Sequence, residues 1–217
     1  MSSEAQGPGF RVQDPGGLLA VHGFVLAGGK SSRMGTDKAT LKFCGRPMVG
    51  IAVEKLRGFC MEVGIAGNRE DLARFAPVVH EERVEVGPGA GVEAGLKAAT
   101  QEWVLFVPMD VPLVPEELLR RWAEAVLRMD GIVASHLNCG REQPTFCILR
   151  RDCVPRFSAA LDAGERRLGM LLRMASEGSH RVHGVEDLYG EDAPDLETSR
   201  RWFLNVNTPQ ELAEAEG

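Results

Sequence analysis

The stretch that organises the rest of the sequence is His22-Gly-Phe-Val-Leu-Ala-Gly-Gly-Lys-Ser-Ser-Arg-Met-Gly-Thr-Asp-Lys38. Its first part, Phe24-Val25-Leu26, is apolar and predicts a buried strand. The strand then meets Gly28 and Gly29 and passes into a loop of glycines, hydroxyls and cations. Glycines allow backbone N–H groups to approach a phosphate closely, and α/β sheets usually hold nucleotides on loops that follow a strand. The stretch therefore predicts a phosphate-binding loop.

The spacing of the glycines excludes two common kinds of phosphate loop. A dinucleotide fingerprint requires Gly-x-Gly-x-x-Gly, which Gly28, Gly29 and Gly35 do not match. A P-loop requires Gly-x-x-x-x-Gly-Lys-Ser/Thr. Its end matches Gly29-Lys30-Ser31, but Phe24 stands where its first glycine belongs. The loop is therefore of another kind, and a glycine-rich basic surface hairpin is the structural alternative.

The bulk composition is that of one globular domain with a local concentration of positive charge. Hydrophobic residues make up 44% of the 217-residue chain and charged residues 26%, which is ordinary for a soluble protein. The net charge of −6 argues against non-specific nucleic-acid binding. Five cations nevertheless lie close together beside the glycine loop, at Lys30, Arg33, Lys38, Lys42 and Arg46. This distribution favours a small anionic ligand.

Cysteine usage and the chain's apolar runs predict a cytoplasmic protein. The five cysteines include no Cys-x-x-Cys pair, which disfavours a disulfide framework or a zinc site and favours a reducing compartment. No signal peptide and no run long enough to span a membrane is recognisable. Residues 1–20, rich in Gly, Pro, Ser and Gln, are predicted to form a flexible leader before one folded domain at 21–217.

Strand-like and helix-like segments alternate after the phosphate loop. A hairpin is predicted at 41–47, strands at 63–66, 77–80, 103–107, 132–134, 145–149 and 203–207, and helices at 49–59, 70–75, 92–99, 115–128, 153–163, 167–176 and from Thr208-Pro209 onward. This alternation predicts a mostly parallel sheet covered on both faces. Residues 184–201 contain six acids and little apolar content, so we expect a solvated loop there.

Polar residues at the ends of predicted strands are the candidate site residues, because ligands bind beyond the carboxyl ends of strands in open α/β sheets. They are Asn68, Glu81, Glu82, Asp110, Asn205 and Asn207. Asp110 follows five apolar strand residues and is the strongest candidate for Mg²⁺, which prefers one or two carboxylates together with phosphate oxygens. The structural alternatives are a turn or cap for Asp110, a turn for Asn68 and a helix entry for Asn207.

The five histidines show no metal-ligand spacing and no nucleophile elbow. We expect all of them to be structural or exposed, with His180 and His183 exposed near a strand. The run Leu168–Met174 is predicted to be a core-facing helix.

The loop from Leu26 to Lys38 resembles the signature loop of molybdenum cofactor guanylyltransferases, and the resemblance extends over residues 22–216. Further matches are Asn68-Arg69, Gly87-Pro-Gly-Ala-Gly91, Asp110 with Pro112, Gln143-Pro-Thr145, Gly164-Glu-Arg-Arg167 and Asn205-Val-Asn-Thr-Pro209. The resemblance implies a single-domain, Rossmann-like three-layer α/β/α sandwich with a mostly parallel, mixed sheet, similar to nucleotide-diphospho-sugar transferases.

The resemblance also implies roles for individual residues. Nucleotide contacts are implied for Leu26, Ala27, Gly28, Gly29, Lys38, Asn68, Glu82 and Asp110. Catalytic roles are implied for Arg33, Lys38 and Asp110, and Mg²⁺ binding for Asp110 and Asn207. The family has an aspartate after its third strand, where this chain reads His80-Glu81-Glu82. Glu82 is taken as its replacement, with Glu81 as the alternative register.

The implied reaction transfers GMP from GTP to the terminal phosphate of the molybdopterin-bound molybdenum cofactor, which gives molybdopterin guanine dinucleotide and pyrophosphate. The implied partners are GTP and molybdopterin, with cofactor-handing proteins or target molybdoenzymes as further candidates, and neither nucleic acid nor membrane. Two other functions are compatible with the same residues. One is a cytidylyl- or sugar-nucleotide transferase on this fold, and the other is a protein that binds nucleotide or cofactor without turnover.

Overall fold

The computed structural model describes residues 17–28 and 42–216, and within them the chain forms a seven-stranded mixed sheet. In sheet order the strands are β5 (Val78–Val79), β4 (Cys60–Ala66), β1 (Leu19–Leu26), β6 (Trp103–Pro108), β8 (Glu142–Arg150), β7 (Ala134–Asn138) and β9 (His180–Gly184). Only β8 runs antiparallel to its neighbours, β6 and β7, among these pairings. The predicted mostly parallel, mixed sheet is confirmed.

Helices cover both faces of the sheet and make the fold three-layered. One face packs against α1 (Met48–Arg57) and α3 (Glu116–Leu127). The other packs against α2 (Pro88–Ala98), α4 (Val154–Asp162) and α5 (Leu168–Ser176). The central strands are apolar along their length because successive side chains enter opposite cores; in β6, Leu105 lies in the first core and Phe106 in the second.

The first strand begins earlier than the sequence suggests. Leu19 already belongs to β1, and its N–H donates to the Phe59 carbonyl at 2.7 Å. The first 16 residues of the predicted leader lie outside the described residues. Within the described ranges, no helix is long and apolar enough to cross a bilayer.

The predicted hairpin is present as β2 (Lys42–Phe43) and β3 (Arg46–Pro47). Its two-residue turn places Cys44 at φ 48° and Gly45 at φ 75°. Positive φ at both central residues is the conformation that matches the twist of a tight hairpin.

Three predicted elements differ in the structure. Residues 184–201, predicted as a loop, contain α6 (Val185–Tyr189) and most of α7 (Leu196–Trp202). The predicted helix at 70–75 is a single 3₁₀ turn at Glu70–Leu72. The predicted strand at 203–207 is an extended segment without strand pairing, and it leads into α8 (Pro209–Glu216). It runs beside the loop that follows β6, where the Val206 N–H donates to the Asp110 carbonyl.

Candidate functional site

The ends of β1, β4 and β6 meet at one edge of the sheet. In the strand register, Leu26 lies opposite Ala66 on one side and Pro108 on the other. The Ala27 N–H donates to the Ala66 carbonyl at 2.9 Å, and the Met109 N–H donates to the Leu26 carbonyl at 3.3 Å. The segments that carry Gly28, Asn68 and Asp110 therefore leave the sheet side by side.

Gly67 lets the loops after β1 and β4 pack backbone to backbone. A Cβ at Gly67 would lie 3.0 Å from the carbonyl carbon of Ala27 and 3.1 Å from the Gly28 nitrogen. The Gly67 N–H donates to the Val79 carbonyl at 3.0 Å, so the same residue ties in the end of β5. This contact brings the start of the phosphate loop next to Asn68.

The Asn68 side chain joins two of these loops. Its Oδ1 accepts from the Glu81 N–H at 2.9 Å, and its Nδ2 donates to the Glu81 carbonyl at 3.3 Å. Both ends of the amide are therefore used on one backbone residue. The sequence predicted a nucleotide contact for Asn68, and the structure gives it a definite local task, which is to fix the position of Glu81.

An open cleft of about 670 Å³ lies beside these loops. Its walls include Ala27, Gly28, Asn68, Glu81, Arg83, Gly87 and Pro88. Because α2 begins at Pro88, the positive end of its helix dipole lies at the cleft wall. A helix start of this kind favours anionic ligands.

Glu81, and not Glu82, carries its carboxylate into the cleft. The Glu81 Oε1 atom lies 2.0 Å from the position that a Cβ on Gly28 would occupy, so a side chain at 28 would collide with it. Burial raises the pKa of Glu81. The exposed Glu82 instead pairs with Lys97, its Oε2 atom lying 2.9 Å from Nζ. This geometry favours Glu81 for the nucleotide contact, and the assignment of that contact to Glu82 stays a prediction.

Asp110 and Asn207 are brought together by the backbone. The Val206 N–H donates to the Asp110 carbonyl at 2.7 Å, which places the segment before α8 against the end of β6. Asp110 and Asn207 are both half-buried. The Asn207 N–H donates to Glu211 Oε2 at 2.7 Å, which holds this segment from the side of the last helix.

Lys55 holds the loop that follows Asp110. Its Nζ donates to the Pro112 carbonyl and, at 2.8 Å, to the Val114 carbonyl. Burial lowers the pKa of Lys55 to about 8, with Glu116 opposing that shift and Arg46 adding to it. No sequence pattern predicts this role for Lys55, because a single lysine in a helix is most often a surface residue.

The residues at this edge fit Mg²⁺ bound together with a nucleotide. The side chains of Asp110 and Asn207 offer the carboxylate and amide oxygens that hard cations prefer. Across residues 17–28 and 42–216, no three His, Cys, Asp or Glu side chains cluster in a way that could hold a metal ion by themselves. Mg²⁺ commonly completes its shell with phosphate oxygens and water, so a site with few protein ligands agrees with the chemistry.

Three predicted site residues, Gly29, Arg33 and Lys38, lie outside the described residues. Leu26 and Ala27 are buried at the end of β1. Arg83, which sequence reasoning missed, lines the cleft next to Glu81. It sits in a short acidic run without any recognisable spacing, so only the folded chain reveals its place.

Comparison with known proteins agrees with this architecture. Residues 23–181 match the family model of the MobA-like NTP transferase domain. The molybdenum cofactor guanylyltransferase of Vibrio cholerae is 34% identical over 194 residues, which cover 88% of each chain. That of Polynucleobacter asymbioticus is 31% identical over 202 residues, covering 88% of this chain and 94% of its own.

A solved structure shares the fold. Molybdopterin-guanine dinucleotide biosynthesis protein A from Archaeoglobus fulgidus superposes with a TM-score of 0.69 at 22% identity, covering 90% of this chain and 96% of its own. The mixed sheet, the shared edge at which its central strands end and the matched family model all point to the same class of protein. The chain is therefore a nucleotidyltransferase and belongs to the MobA-like NTP transferase family.

Proposed function

We propose that this chain transfers GMP from GTP to the terminal phosphate of the molybdopterin-bound molybdenum cofactor. The observation that carries the proposal is the shared edge of the sheet, where Gly28, Glu81 and the start of α2 line one cleft and Asp110 follows the neighbouring strand. The similarity to guanylyltransferases at 34% and 31% identity supports the choice of substrates.

The chemistry is an in-line phosphoryl substitution. An oxygen of the terminal pterin phosphate forms a bond to the α-phosphorus of GTP, the bond from that phosphorus to the oxygen bridging the α- and β-phosphates breaks, and pyrophosphate leaves. Such a reaction depends on positioning and charge neutralisation more than on a protein nucleophile. Bound Mg²⁺ would neutralise negative charge on the phosphates. Asp110 and Asn207 are the residues that would hold it.

The remaining residues bind and orient. The Glu81 carboxylate can accept hydrogen bonds from the donor groups of guanine, N1–H and the N2 amino group, and Asn68 fixes its backbone. The N–H groups at the start of α2 favour the anionic parts of the ligand. Arg33 and Lys38 retain their sequence-based assignment as phosphate ligands. We also propose a cytoplasmic location, with which the five free cysteines agree.

Pyrophosphate release tests the proposal directly. With Mg²⁺ and molybdenum-loaded molybdopterin, we expect release from GTP at a rate several-fold above that from CTP or ATP. Glu81→Ala should raise the KM for GTP by about tenfold or more, since hydrogen bonds to a charged group contribute about 1.5–3 kcal/mol. Glu82→Ala is the matched control and should change it less than about twofold, because its ion pair with Lys97 is exposed.

Two results would reject the proposal. Equal or faster release from CTP would indicate the cytidylyl alternative. Nucleotide binding without pyrophosphate release, with the second substrate present, would indicate a binding protein.

A further inference from the structure

Arg83 is held rigidly at the wall of the cleft by two acids. Its Nε and Nη2 donate to the two carboxylate oxygens of Glu93 at 2.7 and 3.1 Å, and its Nη1 lies 2.7 Å from Asp162 Oδ1. Glu93 is only 3% exposed and also accepts from the Ser158 hydroxyl at 2.6 Å. Burial alone would raise the pKa of Glu93, but the hydrogen bonds from Arg83 and Ser158 outweigh it and the pKa is lowered.

This arrangement leaves part of the guanidinium available. An arginine has five N–H donors in a fixed planar fork. The contacts to Glu93 and Asp162 use one on each of the three nitrogens. Among residues 17–28 and 42–216, these contacts leave a second N–H on Nη1 and on Nη2. Arg83 lines the same cleft as Glu81. The cleft wall therefore carries a guanidinium two residues along the chain from the Glu81 carboxylate.

Guanine presents the complementary pattern. Its O6 and N7 atoms are acceptors on one edge, whereas adenine replaces O6 with a donating amino group. Bidentate contact from arginine to O6 and N7 is the commonest specific guanine contact of proteins with DNA. The neighbouring N1–H and N2 amino donors of guanine would face a carboxylate such as Glu81.

We infer that Arg83 reads the O6 and N7 edge of the guanine base and selects GTP against ATP, with Glu93 as its positioning residue. The inference rests on the proposed function, since it assigns the cleft to the nucleobase of the bound GTP. It adds to that function a specificity-determining residue and the buried carboxylate that orients it. Lysine could not replace Arg83, because its single ammonium lacks the planar fork.

Calorimetry with base analogues tests the inference without turnover. Wild-type protein should bind 7-deaza-GTP, in which C–H replaces N7, about fivefold to tenfold more weakly than GTP. Arg83→Met should weaken GTP binding by about tenfold or more, remove the difference between GTP and 7-deaza-GTP, and leave ATP binding unchanged. Arg83→Lys, which keeps the charge, should behave similarly, and Glu93→Gln should show a smaller change in the same direction.

The control is Arg121→Met, which removes an exposed arginine paired with Glu117 on α3 and should leave all three affinities unaltered. Thermal melts establish that each variant is folded. An equal loss for GTP, 7-deaza-GTP and ATP in the Arg83 variants would show a merely structural role and overturn the inference. The inference would also be overturned if the Arg83 variants kept the wild-type ratio of affinities for GTP and 7-deaza-GTP. In that case the proposed function would stand, provided that wild type still prefers GTP. If the wild-type protein binds GTP no better than ATP, both the inference and the proposed function fail.

Discussion

At the scale of the residue, we expect the charge of Asp110 to contribute more to turnover than to nucleotide affinity. The Asp110→Asn variant keeps size and removes the negative charge, while the backbone bond from Val206 to the Asp110 carbonyl remains available. We expect kcat to fall by about 10²–10³-fold, with a smaller effect on GTP affinity, because the charge matters most where negative charge grows in the transition state. Pyrophosphate release over a range of Mg²⁺ concentrations measures both.

Asp130→Asn is the control, since Asp130 is an exposed loop residue beyond α3. The melting temperature of Asp110→Asn without Mg²⁺ should match wild type, and its stabilisation by Mg²⁺ with nucleotide should be lost. Undiminished turnover would rule out Asp110 as the metal ligand. A lower melting temperature without Mg²⁺ would instead identify it as a structural cap.

Residue identity predicts the kind of site better than the orientation of each side chain. The strand-end pattern correctly brings the segments of Gly28, Asn68 and Asp110 to one edge. It could not choose between Glu81 and Glu82, because two adjacent acids point in different directions once the loop is fixed. In the structure the Asn68 side chain fixes the loop by binding both backbone groups of Glu81. This contact joins residues 13 positions apart, so no local pattern reveals it.

At the scale of the element, α8 is locked to the site by a reciprocal cap. The Glu211 carboxylate accepts from the N–H groups of Asn207 and Thr208 at 2.7 and 3.0 Å, and the Glu211 N–H donates to Thr208 Oγ1 at 3.1 Å. This is a capping box, with Pro209 at the first helical position. We expect Glu211→Ala to lower the free energy of unfolding by about 1 kcal/mol.

Urea denaturation measures this change. Glu214→Ala on the same helix is the control, because the exposed Glu214 side chain accepts a long hydrogen bond of 3.4 Å from the Gln210 amide. Glu211→Ala should also raise the Mg²⁺ concentration needed for half-maximal turnover, since Asn207 loses its anchor. Equal stability of the two variants would show that the cap contributes nothing measurable.

Long elements with a clear apolar pattern were predictable, and short ones were not. The strand β6 is a continuous apolar run and the helix α3 carries one apolar stripe, and the structure places both within two residues of the predicted bounds. The helices α6 and α7 are only 5 and 7 residues long and lie in an acidic stretch. Long-range packing fixes α6, because Val185 lies in the core and the Arg121 guanidinium stacks 4.8 Å from the Tyr189 ring centre. No local sequence pattern reveals such contacts.

At the scale of the whole molecule, the histidines act together on the stability of the fold. The expectation that His180 and His183 are exposed is wrong, since His183 is buried and His180 half-buried. His136 Nδ1 lies 3.0 Å from His180 Nε2, and its Nε2 lies 3.2 Å from Glu142, whose other oxygen accepts from Arg173 at 2.7 Å. The pair therefore connects β7, β8, β9 and α5 at one end of the sheet.

Burial and the neighbouring His136 and Arg173 lower the pKa of His180 to about 4, against an opposing effect of Glu142. An unfolded histidine has a pKa near 6.5, so below that pH the unfolded chain takes up a proton that the folded chain refuses. Stability from this group is complete above about pH 6.5 and is lost as the pH falls toward 4. Burial also lowers the pKa values of His22, His136 and His183, so they act in the same direction.

We therefore expect the free energy of unfolding to fall between pH 6.5 and pH 4.5. The His180→Asn variant should reduce the slope of that fall against pH by up to the contribution of about one bound proton. Asparagine keeps a polar partner for His136 while removing the titrating ring. Urea denaturation at half-unit pH steps gives the slope for each protein. His80→Asn, which removes an exposed histidine paired with Glu70, is the control for replacing an imidazole elsewhere. If the free energy of unfolding falls with the same slope in wild type and His180→Asn, the buried histidine pair does not govern stability in acid. Carboxylates would then account for the fall.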